Sequence, residues 1–290
     1  MTTPDYRTDP DNFCYRHPER QSFVLCQRCT RTICPECQTQ MPVGVICPEC
    51  LRDQQKAVKA TRPPRAQRAL RAVRSSDDRP LVTYGLVAVT LFFYLVGLIP
   101  GGLGDQVQSW LAFNSGFLVP GPFFQPWRLL TVTLVHASIW HVALNMLALW
   151  ALGRSLEPLL GRWRFAVLYL LSALGGSVLV ALLDPGTWVV GASGAVWGLL
   201  GAMFVIGRHL GVNVTAIAVL LGLNLVITFL PGSNISWQAH IGGGLVGLLV
   251  GFIFARTRAI RQQRTQKLLL AATAVGLLAL LIIPALVYYS

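Results

Sequence analysis

Residues 236–255 read SWQAHIGGGLVGLLVGFIFA. As a helix, twenty residues at about 1.5 Å each rise about 30 Å, the thickness of a bilayer's hydrocarbon core. Two features separate this stretch from a lipid-facing span. Gly243, Gly247 and Gly251 recur at every fourth position and form a small-residue stripe on one helix face, against which another helix can pack closely. His240 lies near the start, and an ionisable side chain at membrane depth is costly and usually functional. Residues 190–208, VGASGAVWGLLGAMFVIGR, carry a matching set of glycines at 194, 198 and 201, and Ser193 near the start. Packing the two stripes together would bring His240 beside Ser193.

The composition agrees with a membrane setting. The chain has 290 residues, 53% hydrophobic and 12% charged, where soluble domains carry about 25% charged residues. Apolar stretches long enough to cross a bilayer lie near 81–99, 136–153, 164–183, 190–208, 213–230, 236–255 and 268–289. With the N-terminus in the cytosol, the inner connections hold Arg154, Arg162, Arg164, Arg208, Arg256, Arg258, Arg261, Arg264 and Lys267, and the outer ones only Arg128. This asymmetry orients the chain with its C-terminus outside. No apolar segment opens the chain, so the N-terminus is expected to remain cytosolic. Residues 100–135 are rich in Gly, Pro, Phe and Trp and nearly uncharged, which predicts a partly embedded outer hairpin with short amphipathic pieces.

The first 79 residues obey different rules. They hold nine of the twelve acidic residues and all seven cysteines. The cysteines fall into pairs of one spacing: Cys14 with His17, Cys26 with Cys29, Cys34 with Cys37, and Cys47 with Cys50. Eight ligands make two complete tetrahedral zinc sites. An odd cysteine count completed by a histidine argues against a disulfide framework, and zinc thiolates require a reducing cytosol. The order of pairs resembles a B-box-type zinc finger. That resemblance implies Cys14, His17, Cys34 and Cys37 at one ion and Cys26, Cys29, Cys47 and Cys50 at the other, although a sequential pairing satisfies the spacing equally. The ligand set is saturated, so the module is expected to recruit a cytosolic protein partner or regulate rather than catalyse. It shows no basic recognition helix for nucleic acid. Residues 51–79 form a basic linker with nine basic and three acidic residues, interrupted by Pro63 and Pro64 and suited to anionic lipid headgroups or simple solvation.

The polar residues at membrane depth are His136, His141 and Asn145 on the second stretch, Ser193 on the fourth and His240 on the sixth, all toward the outer leaflet. No stretch carries a carboxylate at its centre, which excludes a two-aspartate protease and disfavours proton-coupled transport. No His-Glu-x-x-His is present for zinc proteolysis. A serine with a histidine remains, a pair able to perform acyl transfer without a third carboxylate. His209 and Glu157 lie at inner helix ends; Glu157 is expected to pair with Arg154 or Arg162, or with an inner loop.

In order along the chain, Trp127-Arg128, His141-x-x-x-Asn145, Gly191-Ala192-Ser193-Gly194 and Ala239-His240-x-x-Gly243-x-x-x-Gly247 resemble the motifs of the rhomboid intramembrane serine proteases. The resemblance covers about residues 80–255. It implies a six-helix core, a Ser193–His240 dyad, an oxyanion site formed by His141, Asn145 and the Ser193 amide, no catalytic cofactor, and substrates that are transmembrane proteins cut near the outer face. Trp197 stands where the family often has a tyrosine stacked on the histidine. The expected architecture is an all-α polytopic membrane protein: a zinc module over 1–50, a linker over 51–79, a six-helix rhomboid core over 80–255, and a basic loop and seventh transmembrane helix over 256–290. The expected location is the plasma membrane. A non-catalytic rhomboid-like adaptor using the zinc module is the competing reading.

Overall fold

The computed structural model describes residues 9–41, 43–60, 79–100, 102–230 and 235–288. The chain divides into two compact units, Met1–Asp77 and Asp78–Ser290. Most of the basic linker, including Pro63 and Pro64, lies outside the described residues.

In the first unit β1 (Phe13–Cys14) pairs antiparallel with β2 (His17–Gln21), and β3 (Thr39–Gln40) with β4 (Val45–Ile46). α1 (Pro48–Ala60) follows and carries Cys50 in its first turn, running past the boundary expected at residue 50. The fully buried cluster among the described residues consists of Cys14, Cys26, Cys34, Cys37, Cys47 and Cys50 with Ile33 and Ile46, and the partly buried Tyr15, Met41, Val45 and Leu51 pack against it. A core this poor in hydrocarbon leaves most of the stabilisation to whatever the thiols bind.

The second unit is helical. Its elements are α2 (Leu81–Gly97), α3 (Leu103–Leu111), α4 (Arg128–Thr131), α5 (Ile139–Leu160), α6 (Arg162–Leu183), α7 (Ser193–His209), α8 (Thr215–Thr228), α9 (Trp237–Arg256), α10 (Gln263–Leu280) and α11 (Ile282–Tyr288). Helices occupy all seven expected positions, and the unit is a polytopic membrane fold. By length and composition alone, Arg162–Leu183, Trp237–Arg256 and Ile260–Tyr288 can each cross a bilayer, and Arg128–Leu134 joins Ile139–Leu160 as a fourth only across a 100° bend. α2 and α8 are apolar but shorter. At 14 residues α8 rises about 21 Å, less than the full hydrocarbon thickness.

The bend corrects the expected second stretch. Ser138 caps α5 by accepting from the His141 amide at 3.2 Å, so the helix starts at Ile139, and His136 falls in the break before it. Glu157 also differs from expectation. It is buried on α5 and accepts from the amides of Val82 and Thr83 at 2.9 and 2.8 Å and from the Thr83 hydroxyl at 2.7 Å. A helix start presents unpaired N–H groups and a positive dipole end, and a carboxylate satisfies both. Gly153, one turn earlier, leaves room for Thr83.

The connection between α2 and α5 is tied down by one cation. Arg128 is buried, bonds Gln125 Oε1 at 2.7 Å and the carbonyls of Ala112 (2.6 Å) and Ser109, and lies under the Phe117 ring at 4.1 Å. A short bridge between Phe113 and Val189 closes this connection onto the approach to α7.

The core of the unit is glycine packing. A Cβ at Gly243 would overlap the Gly194 carbonyl, one at Gly247 the Gly198 backbone, and one at Gly251 would lie 2.8 Å from Ala202 Cα. α7 and α9 therefore meet backbone to backbone along both stripes, with α6 beside them through Gly175 and Gly176. With lipid outside there is little hydrophobic drive to association, so close van der Waals contact carries the packing.

Candidate active site and metal sites

The approach to α7 turns at Gly191, whose φ of +118° disfavours any side chain. Its N–H donates to the Val132 carbonyl at 3.0 Å, and the next amide, Ala192, donates to His136 Nε2 at 3.3 Å. Ser193 is then the first residue of α7, half-buried, at the positive end of the helix dipole. A Cβ at Gly191 would lie 2.6 Å from His141 Nε2, so the imidazole fills the space that the glycine leaves. The His136 and His141 rings meet edge to face at 4.9 Å. The sequence places His136 outside the dyad, and here it steadies the backbone just before Ser193.

His240 sits in the first turn of α9, which Ser236 caps by accepting from the Ala239 amide at 3.3 Å. The ring is buried, stacks on Trp197 with centroids 5.1 Å apart, and places Nδ1 2.9 Å from Thr228 Oγ1. Gly194 abuts the Ala239 carbonyl, and Gly243 abuts Gly194. The residues flanking Ser193 and His240 are thus in direct contact. Among the described residues the Ser193 hydroxyl makes no hydrogen bond, to His240 or to any other group. Catalytic hydrogen bonds in free enzymes are often long and close only around substrate. Asn145 is buried one turn beyond His141 and donates one amide hydrogen to the His141 carbonyl at 2.8 Å, keeping a second to offer. Thr228 was not singled out from the sequence, because a hydroxyl in an apolar helix gives no signal until its partner is known.

The eight expected ligands of the first unit gather into two groups, Cys14, His17, Cys34 and Cys37, and Cys26, Cys29, Cys47 and Cys50, each with its ligand atoms within 4.8 Å of one another. This is the cross-braced pairing and not the sequential one. His17 Nδ1 lies 3.8, 3.3 and 3.5 Å from the sulfurs of Cys14, Cys34 and Cys37, and Cys29 Sγ lies 3.8 Å from Cys47 Sγ. A tetrahedron of thiolates about 2.3 Å from zinc has edges of about 3.8 Å, so the spacing fits a metal of that size. Burial works to raise the Cys14 thiol, but the amides of Cys34 and Arg16 and the His17 ring outweigh it and hold it down at about 6. Burial and the neighbouring Cys14 and Cys34 push Cys37 up to about 11. Three crowded thiols cannot all be ionised without a cation among them.

Residues 124–257 match the Rhomboid domain family. Rhomboid protease GluP of Bacillus subtilis (strain 168) is 31% identical over 231 residues, which is 73% of this chain and 43% of that protein. RHOMBOID-like protein 1 of Arabidopsis thaliana is 38% identical over 135 residues, 44% of this chain and 34% of that protein. Rhomboid-related protein 2 of Mus musculus is 30% identical over 167 residues, 50% of this chain and 55% of that protein. The chain carries a rhomboid domain and is related to the rhomboid membrane proteins. It spans about two fifths of the length of GluP and about a third of RHOMBOID-like protein 1.

Proposed function

We propose that this protein is an intramembrane serine endopeptidase that cuts transmembrane segments of other proteins near the outer face of the plasma membrane. The observation that carries the reading is the backbone contact between Gly194 and Ala239–Gly243, which sets the start of α7, with Ser193, against the start of α9, with His240. Similarity to a named rhomboid protease supports it.

In this reading His240 Nε2 takes the Ser193 hydroxyl proton as Oγ bonds to the scissile carbonyl carbon. The carbonyl oxygen becomes an oxyanion, met by the Ser193 amide, the free Asn145 amide hydrogen and His141. When the C–N bond breaks, the imidazolium returns the proton to the leaving amine. A water then repeats the sequence on the acyl-serine, releasing acid and restoring Ser193. Strongly bent or unwound substrate helices would enter most readily, because the attacked carbonyl must leave its own helix's hydrogen bonds.

The two cysteine-rich groups hold two structural zinc ions in the cytosolic N-terminal module, spanning about residues 1–50. The basic stretch over 51–79 contacts anionic lipid, residues 80–255 form the protease core, and residues 256–290 add an inner loop and a last span ending outside. The module recruits a cytosolic partner or regulates the core. The test is cleavage of a single-span model substrate by purified wild type, Ser193→Ala and His240→Ala. Loss of cleavage in both variants is expected, and undiminished cleavage by Ser193→Ala defeats the reading.

A further inference from the structure

Thr228 is the one fully buried residue of a helix that is elsewhere half-buried or exposed. Of the fourteen residues of α8, it alone is buried. It ends the inward face of the helix, after the half-buried Ile217, Leu221 and Asn224, while Leu223 and Ile227 remain outward. Two partners of its hydroxyl lie among the described residues. Oγ1 lies 2.8 Å from the Asn224 carbonyl and 2.9 Å from His240 Nδ1.

A proton count decides the direction of both bonds. A threonine hydroxyl has one hydrogen, and a carbonyl only accepts. The hydrogen therefore lies toward Asn224, and Oγ1 presents lone pairs to His240. The second bond then requires hydrogen on Nδ1, which leaves Nε2 of the neutral ring unprotonated. We propose that Thr228 is a positioning residue that holds His240 in the Nδ1–H tautomer, the form whose Nε2 accepts the Ser193 proton. This deepens the dyad reading and rests on it. Trp197, from α7, sets the plane of the ring, and Thr228, from α8, sets which edge carries the hydrogen. A neutral hydroxyl performs this orientation without the cost of a carboxylate at membrane depth.

The test uses the full chain in detergent with ¹⁵N-labelled histidine. Long-range ¹H–¹⁵N correlation, with the His240 signal assigned by its loss in His240→Ala, is expected to show Nδ1–H in the wild type and in Ser193→Ala. Thr228→Val, nearly the same shape without the hydroxyl, is expected to give a mixture of tautomers. It should lower kcat on a single-span model substrate by about tenfold or more, with KM changed by less than about twofold. Thr228→Ser should restore both the tautomer and kcat. An Nε2–H ring in the wild type, or unchanged kcat in a folded Thr228→Val, overturns the proposal. Should Thr228→Val not fold, the wild-type tautomer and the Thr228→Ser rate decide the matter. The tautomer is read without turnover, so continued cleavage by Ser193→Ala would overturn the dyad reading and not this assignment.

Discussion

The Trp197 indole lies over the His240 imidazole, with centroids 5.1 Å apart and planes 22° from parallel. Trp197 is one turn beyond Ser193 on the same helix, so the helix that presents the hydroxyl also holds the ring proposed to deprotonate it. An aromatic stack of this kind contributes about 0.5–1.5 kcal/mol beyond the area it buries. Trp197→Ala should therefore lower kcat by about two- to tenfold, and Trp197→Tyr should keep most of the rate. Steady-state cleavage of a model substrate checks this, with thermal unfolding to confirm that both variants fold.

Glycine packing between α7 and α9 makes a sharper stability prediction. Gly247→Ala forces a methyl into the Gly198 backbone and should cost about 1–3 kcal/mol. Gly85→Ala, where a Cβ meets nothing within 4 Å, should be neutral or slightly stabilising. Thermal unfolding in detergent compares the two, and equal loss in both would deny the stripe its role.

Glu157 is predicted to anchor α2. Glu157→Ala strands the Val82 and Thr83 amides and the Thr83 hydroxyl and should cost about 3 kcal/mol or more. Glu157→Gln keeps an acceptor and should cost less. Thermal unfolding again provides the measure, and hydrogen exchange should place the loosening at residues 81–85.

The metal groups predict a stoichiometry that separates the two pairings. The chain should bind two zinc ions, and Cys14→Ser combined with Cys34→Ser should remove one, because both belong to one group. A sequential pairing would lose both. Zinc counted by elemental analysis after dialysis reads the result. Chelation should melt the module while cleavage of a short model substrate by the core continues.

Much of this was legible in the sequence, and the exceptions share one cause. The spans were visible from unbroken apolar length, and the four ligand pairs from their spacing, because both signals are local. The grouping of Cys14 with Cys34 follows from the B-box resemblance alone, since either pairing satisfies the spacing. His136 was placed on a helix because hydrophobicity continues through residues 136–138, while the helix start depends on the Ser138 cap. Glu157 and Thr228 find partners 74 and 12 positions away. Those contacts come from how helices cross, which no periodicity encodes.

The claim at the centre is that Ser193 is a nucleophile made reactive by His240. A fluorophosphonate probe, followed by peptide mass spectrometry, tests it without a natural substrate. The account predicts one labelled residue, Ser193, with labelling abolished in Ser193→Ala and strongly slowed in His240→Ala. Labelling at another residue, or a rate unaffected by loss of the imidazole, would contradict it.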